Sequence, residues 1–108
     1  MSEVTKDAQD NKVVAILAYF GILFLVPLLA AKNSPFARFH AIQGLTLFAV
    51  TIVLYIVYFL LLSISLTIGT IFGIVFIGVM ILAIIGIINA AKGQMKELPL
   101  IGGIKLMK

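Results

Sequence analysis

The chain has 108 residues, of which 63% are hydrophobic and only 11% charged, with a net charge of +4 and neither cysteine nor tryptophan. An ordinary soluble domain is about 25% charged and about 45–50% apolar, so in water this chain would leave much of its apolar surface exposed, and a bilayer is the solvent that suits it. The length allows one domain. The missing cysteines exclude disulfides, thiolate metal sites and cysteine nucleophiles, and the basic residues stand at the edges of apolar runs rather than in a nucleic-acid-binding patch.

Residues 1–12 are polar and hold three of the four acids, Glu3, Asp7 and Asp10. They read as a short mobile tail, without the clearly basic start of a cleaved signal peptide. Val13–Ala31 follows as a charge-free apolar run. As one helix it spans about 28 Å, close to the roughly 30 Å hydrocarbon core. Pro27 near its end is tolerable in a membrane helix whose neighbours satisfy the freed carbonyl.

Lys32-Asn33-Ser34-Pro35 is the first break. Ser34 suits an N-cap and Pro35 the first helical position. From Ala41 to Ala91 no residue is charged. As one helix that stretch would extend about 76 Å, so it must fold back once, and its polar-enriched residues 63–70 mark the place. The fold class expected is an all-α membrane protein with three transmembrane helices, at about 13–31, 35–62 and 70–91. Tyr55 and Tyr58 then suit the far interface. Residues 92–108 form a basic segment, interfacial if Leu100, Ile101 and Ile104 share a face, disordered otherwise.

Three crossings put the N-terminal tail and the 63–70 loop on one side, with Lys6 and Lys12. The 32–35 loop and the C-terminus take the other, with Lys32, Arg38, Lys92, Lys96, Lys105 and Lys108. The positive-inside rule then places the N-terminus outside and the C-terminus in the cytoplasm of a prokaryotic cell.

The same topology brings the start of the second helix to the depth of the end of the third. His40, Gln43 and Gly44 share a helical face at i, i+3 and i+4. A polar side chain within a membrane helix needs a partner. His40, Gln43 and Asn89, with Asn33, are therefore expected to form one hydrogen-bonded layer flanked by Arg38 and Lys92. The layer fixes helix register, or else His40 responds to protons or a ligand. Gly44, together with the Gly69–Gly73 pair, is a candidate for close helix packing within the chain or between copies.

Ala18-Tyr19 through Val26-Pro27-Leu28, Asn33-Ser34-Pro35-Phe36-Ala37-Arg38-Phe39-His40-Ala41-Ile42-Gln43-Gly44, Ile88-Asn89-Ala90-Ala91-Lys92-Gly93 and Leu98-Pro99-Leu100-Ile101-Gly102 occur in that order. In these motifs the chain resembles a family of small bacterial and archaeal membrane proteins of unknown function. That family is described as similar to a membrane subunit of the chloroplast inner-envelope (Tic) import translocon. The resemblance implies a helical membrane protein connected with protein translocation, although that subunit has four spans and this chain supports three.

No acid lies in the apolar core, and no serine or threonine has a base beside it, so neither an enzyme nor a cofactor is expected. A non-enzymatic membrane subunit or assembly partner in transport or protein translocation fits best. The alternative is a homo-oligomeric pore of the holin kind. The partners expected are the lipid bilayer and either a second copy or another membrane protein.

Overall fold

The computed structural model describes residues 3–31, 33–104 and 106. The described residues form helices α1 (Glu3–Asp10), α2 (Lys12–Leu17), α3 (Leu25–Ala30), α4 (Pro35–Ile64), α5 (Leu66–Phe72) and α6 (Val75–Ala91), with a 3₁₀ turn at Gly21–Phe24 and no strand. The roles expected of Lys32, Lys105 and Lys108 fall outside the described residues.

Two helical stretches, Pro35–Ile64 and Leu66–Ala91, are long and apolar enough to cross a membrane, with hydropathies of 2.7 and 3.1. Only 6% of each apolar window is buried within the chain. A core helix of a soluble protein would be mostly covered, whereas here Ile52, Ile56, Phe59, Ile71, Ile77, Met80 and Ile84 stand exposed. The two stretches are joined through Ser65 alone, whose side chain accepts from Ile68 N at 3.3 Å. Gly69 lets the helices of this hairpin close, because a Cβ there would overlap Leu62. Phe76 of α6 packs on Tyr55 and Tyr58 of α4, with ring centroids 4.5 and 5.5 Å apart.

The expected third span is not confirmed: residues 13–31 do not form one helix. At the end of α2 the bonds tighten to i→i+3, from Ala18 N to Ala15 O and from Tyr19 N to Ile16 O. Gly21 then takes φ +64, a conformation that costs glycine little. The chain turns back through the 3₁₀ segment into α3. Pro27 lies in the first turn of α3, where its missing N–H would have had no intrahelical partner anyway. The apolar run is thus a re-entrant pair of short helices whose two ends lie together.

Asp7 fixes that return. Its carboxylate accepts from Ser34 Oγ at 2.6 Å, from Phe36 N at 2.9 Å and from Asn11 Nδ2 at 2.8 Å. Ser34 Oγ in turn accepts from Ala37 N at 3.0 Å, and Ser34 O from Arg38 N at 2.9 Å. Pro35 has no N–H, so each donor of the first turn of α4 is satisfied. Residues 1–12, expected as a mobile tail, instead supply a helix that caps α4. The N-terminal helix therefore sits at the opposite end of α4 from Ser65, about 45 Å away along the helix, rather than beside it.

The packed core lies at that capped end, where Ala8, Ala15, Ala18, Tyr19, Phe24, Phe36, Leu47, Ala90 and Leu98 are buried together. The molecule, 55 × 22 × 20 Å, is a compact head with an apolar helical hairpin projecting from it. Asp7→Ala is expected to lower stability by about 1–2 kcal/mol, as loss of a helix cap does. Asp10→Ala, at an exposed position, should leave it unchanged; comparing their thermal unfolding by circular dichroism checks both.

Candidate functional site

The polar residues of α4 recur every three positions, as His40, Gln43 and Thr46, and all three are fully buried. On a helix of 3.6 residues per turn, each such step rotates the next side chain back by about 60°. The C-terminal segment follows that slow rotation. His40 Nε2 donates to Gln94 O at 2.8 Å. Gln43 Oε1 accepts from Leu98 N at 2.9 Å, and Gln43 Nε2 donates to Gly102 O at 3.1 Å. Thr46 Oγ1 lies 2.9 Å from Ile104 O and 3.1 Å from Ile42 O. The ladder thus holds residues 94–104 down against α4 as a strap. That segment is neither an interfacial helix nor disordered.

His40 also faces the re-entrant turn. Because Gln94 O can only accept, Nε2 carries the proton of the neutral ring. Nδ1 is then an acceptor, and it receives the Tyr19 hydroxyl at 2.5 Å. The edges of Tyr19, Phe36 and Phe39 surround the imidazole at centroid distances of 5.6, 4.8 and 5.2 Å. Both nitrogens of the neutral ring are used, and a second ring proton would force the Tyr19 hydroxyl to turn its own proton elsewhere.

Two glycines admit the turn. A Cβ on Gly44 would overlap the Ala18 carbonyl, and one on Gly86 would overlap the Tyr19 ring. The turn is a wedge between α4 and α6, seated where each helix lacks a side chain. Beside it opens a cleft of about 470 Å³ lined by Phe48, Tyr55, Phe76, Val79 and Ala83 among others.

The site residues expected from the sequence separate into two groups. His40 and Gln43 share the strap-binding face of α4, and Gly44 lies beside them against the wedge. Asn89 is buried, but its main-chain carbonyl rather than its side chain is engaged, accepting from Gln94 N at 2.9 Å. Asn33 is exposed, and among the described residues neither asparagine bonds to His40 or Gln43. One layer joining all four therefore does not form, because the strap's main chain has taken their place. Arg38 is half-buried and Lys92 exposed. Gly69 and Gly73 pack within the chain, on Leu62 and near Tyr58.

Tyr19, Thr46, Asp7 and the strap itself were not anticipated. Thr46 continues the three-residue spacing of His40 and Gln43, which is a readable signal; Tyr19 stands out only within the motif of the resemblance, and nothing there points to His40 as its partner. Among the described residues no three His, Asp or Glu side chains gather as a metal-binding group. The arrangement spends its donors and acceptors on main-chain groups, which makes it a clamp.

Gln43→Leu would leave Leu98 N and Gly102 O buried without partners, an expected cost of about 2–4 kcal/mol. Hydrogen exchange should show protection lost across residues 94–104 and retained in the α4–α6 hairpin. Asn33→Ala should change neither.

The family of magnetosome magnetite crystal formation proteins, MamF and MmsF, has a model that matches residues 10–107. The magnetosome protein MamF of Paramagnetospirillum magneticum AMB-1 is 35% identical over 89 residues, covering 82% of this chain and 77% of that protein. Magnetosome protein MamF of Magnetospirillum gryphiswaldense MSR-1 is 33% identical over 105 residues, covering 93% and 89%. No solved structure matches. These matches overturn the likeness to the Tic translocon subunit, and with it goes the translocation role that likeness implied. The strap, the wedge and both long apolar helices all lie within the matched residues, and the chain belongs to the MamF and MmsF family of magnetosome magnetite crystal formation proteins.

Proposed function

We propose that this chain is a non-enzymatic component of the magnetosome membrane that serves magnetite crystal formation through helix contacts, crossing the membrane twice with both termini in the cytoplasm. The observation that carries this reading is the family match over residues 10–107, which takes in the head and both apolar helices together. A homo-oligomeric pore has no comparable support. The polar side chains a pore would need are buried in the head and bonded to the strap.

The orientation follows from charge. All eight Lys and Arg residues lie at positions 6–38 or 92–108. The described segments of those ranges surround the head, and the Ser65 tip has no charge near it. The positive-inside rule puts the charged rim of the head on the cytoplasmic side, and two crossings return the chain to the side on which it started. In a magnetosome the Ser65 tip then faces the lumen.

Two measurements test this. Because the chain has no native cysteine, single cysteines report sidedness directly. With the protein in the cell membrane of intact cells, Ser65→Cys is expected to react with a membrane-impermeant maleimide, and Gln9→Cys and Gly103→Cys only after lysis. Labelling of Gln9→Cys from outside would restore three crossings. For the role, the chain is expressed in a magnetotactic strain deleted for its own proteins of this family. Electron microscopy should show crystal size or number shifted toward wild type. A chain that reaches the magnetosome membrane and leaves the crystals unchanged would sink the crystal-formation reading.

A further inference from the structure

On the side of α6 toward the strap lies a second cleft, of about 420 Å³, lined by Val50 and Leu54 of α4, by Gly78, Ile81 and Ile85 of α6, and by the strap at Pro99–Ile101. Its floor is open at Gly78, where a Cβ would meet nothing within 4 Å. Its upper wall is built at some cost. Leu100 takes φ +68 and is 98% exposed. The turn around it is closed by bonds from Ile101 N to Pro99 O at 2.7 Å and from Gly102 N to Leu98 O at 2.9 Å. A left-handed conformation is strained for leucine, whose Cβ crowds the following carbonyl oxygen. One buried side chain, Gln43, pins both feet of the turn, at Leu98 and Gly102. A fully exposed leucine is thus held in an unfavourable backbone conformation by a fully buried glutamine.

Charge stands above the cleft. Gly78, Ile85 and Lys92 are spaced by seven residues, so they lie on one face of α6, with a drift of about 20° per step. Lys92 is exposed and about 10 Å above Ile85, toward the head. Lys96, within the strap, is exposed too. Residues 92–108 carry four lysines against Glu97 alone. An apolar slot below and exposed lysines above it match one class of ligand.

We propose that this cleft seats one anionic phospholipid of the head-side leaflet, an acyl chain lying between Gly78 and Leu100 and the headgroup meeting Lys92. The strap, held by Gln43, is the element that completes the seat. The inference requires only that α4 and α6 cross a bilayer and not that the chain acts on crystals.

The test is native mass spectrometry of the full chain released from nanodiscs containing equal phosphatidylglycerol and phosphatidylcholine. The expected result is a monomer retaining one phosphatidylglycerol, with Lys92→Gln cutting its preference over phosphatidylcholine about fivefold. Gly78→Leu, whose Cβ would meet nothing within 4 Å and whose branch fills the floor, should abolish retention. Leu100→Gly suits the φ and removes the wall, and it should weaken retention with helix content intact, so the seat stays testable should Gly78→Leu fail to insert. Equal retention of both lipids, or retention untouched by Gly78→Leu, overturns the proposal. A dimer that Gly78→Leu dissolves gives the cleft to a second copy and also overturns it. Protein that enters no nanodisc defeats the membrane crossing itself, an outcome distinct from the others.

Discussion

Main-chain groups that leave a helix within a bilayer must be bonded by protein, because no water is there to take them. This chain has two irregular segments next to its apolar helices, the re-entrant turn at residues 18–24 and the strap at 94–104. His40, Gln43 and Thr46 answer that demand. His40 serves both segments, through Tyr19 on one side and Gln94 O on the other. Gln43 gives a donor and an acceptor to the two feet of one turn. Thr46 reaches Ile104 O. The side chains are polar because the backbone beside them is not helical.

Steric fit supplies what hydrogen bonding does not. A turn cannot be slid between two helices unless each helix yields volume, and Gly44 and Gly86 yield it at Ala18 and Tyr19. The same two glycines therefore set how deep the turn enters. That depth decides whether the Tyr19 hydroxyl arrives at His40. Packing and hydrogen bonding are thus coupled: a side chain at either glycine would move the donor away from the imidazole and leave its Nδ1 unserved. Asp7 closes the arrangement from outside by holding the end of the re-entrant pair to the start of α4.

Some of this was legible in the residues alone. Ser34-Pro35 marks the start of α4 because capping is local chemistry, and the long charge-free run had to fold back because its length exceeds a bilayer. His40 and Gln43 stood out because a polar residue in an apolar helix needs a partner. The partners did not stand out, since, apart from the Tyr19 hydroxyl, they are main-chain atoms about 50–60 positions away and a main-chain atom carries no sequence signature. Asn89 and Asn33 looked equally polar and were grouped on depth alone. The break in residues 13–31 was masked for a related reason: the length and apolarity suit a span, and only Gly21 hints at a turn, in a chain that uses glycine freely inside its helices. Asp7 was hidden by its surroundings, since an acid in a polar tail looks solvated until the tail is seen to return.

The parity of crossings shows how one local error propagates. Taking residues 13–31 as a span forces the N-terminus to the side opposite the 32–35 loop. That choice strands Lys6 and Lys12 away from the other six basic residues, and the positive-inside rule has to tolerate the split. Folding the same residues back removes the conflict. Asp7 then meets Ser34, and Lys6 and Lys12 join the basic rim of the head. The tip at Ser65 keeps no charge. A small lapse in the charge rule thus already favours the even crossing count proposed above. In a chain with so few charges, two misplaced lysines are a quarter of the orientation signal, and the fold-back that brings Lys6 and Lys12 to the head is also the one in which the Asp7 carboxylate finds a helix to cap.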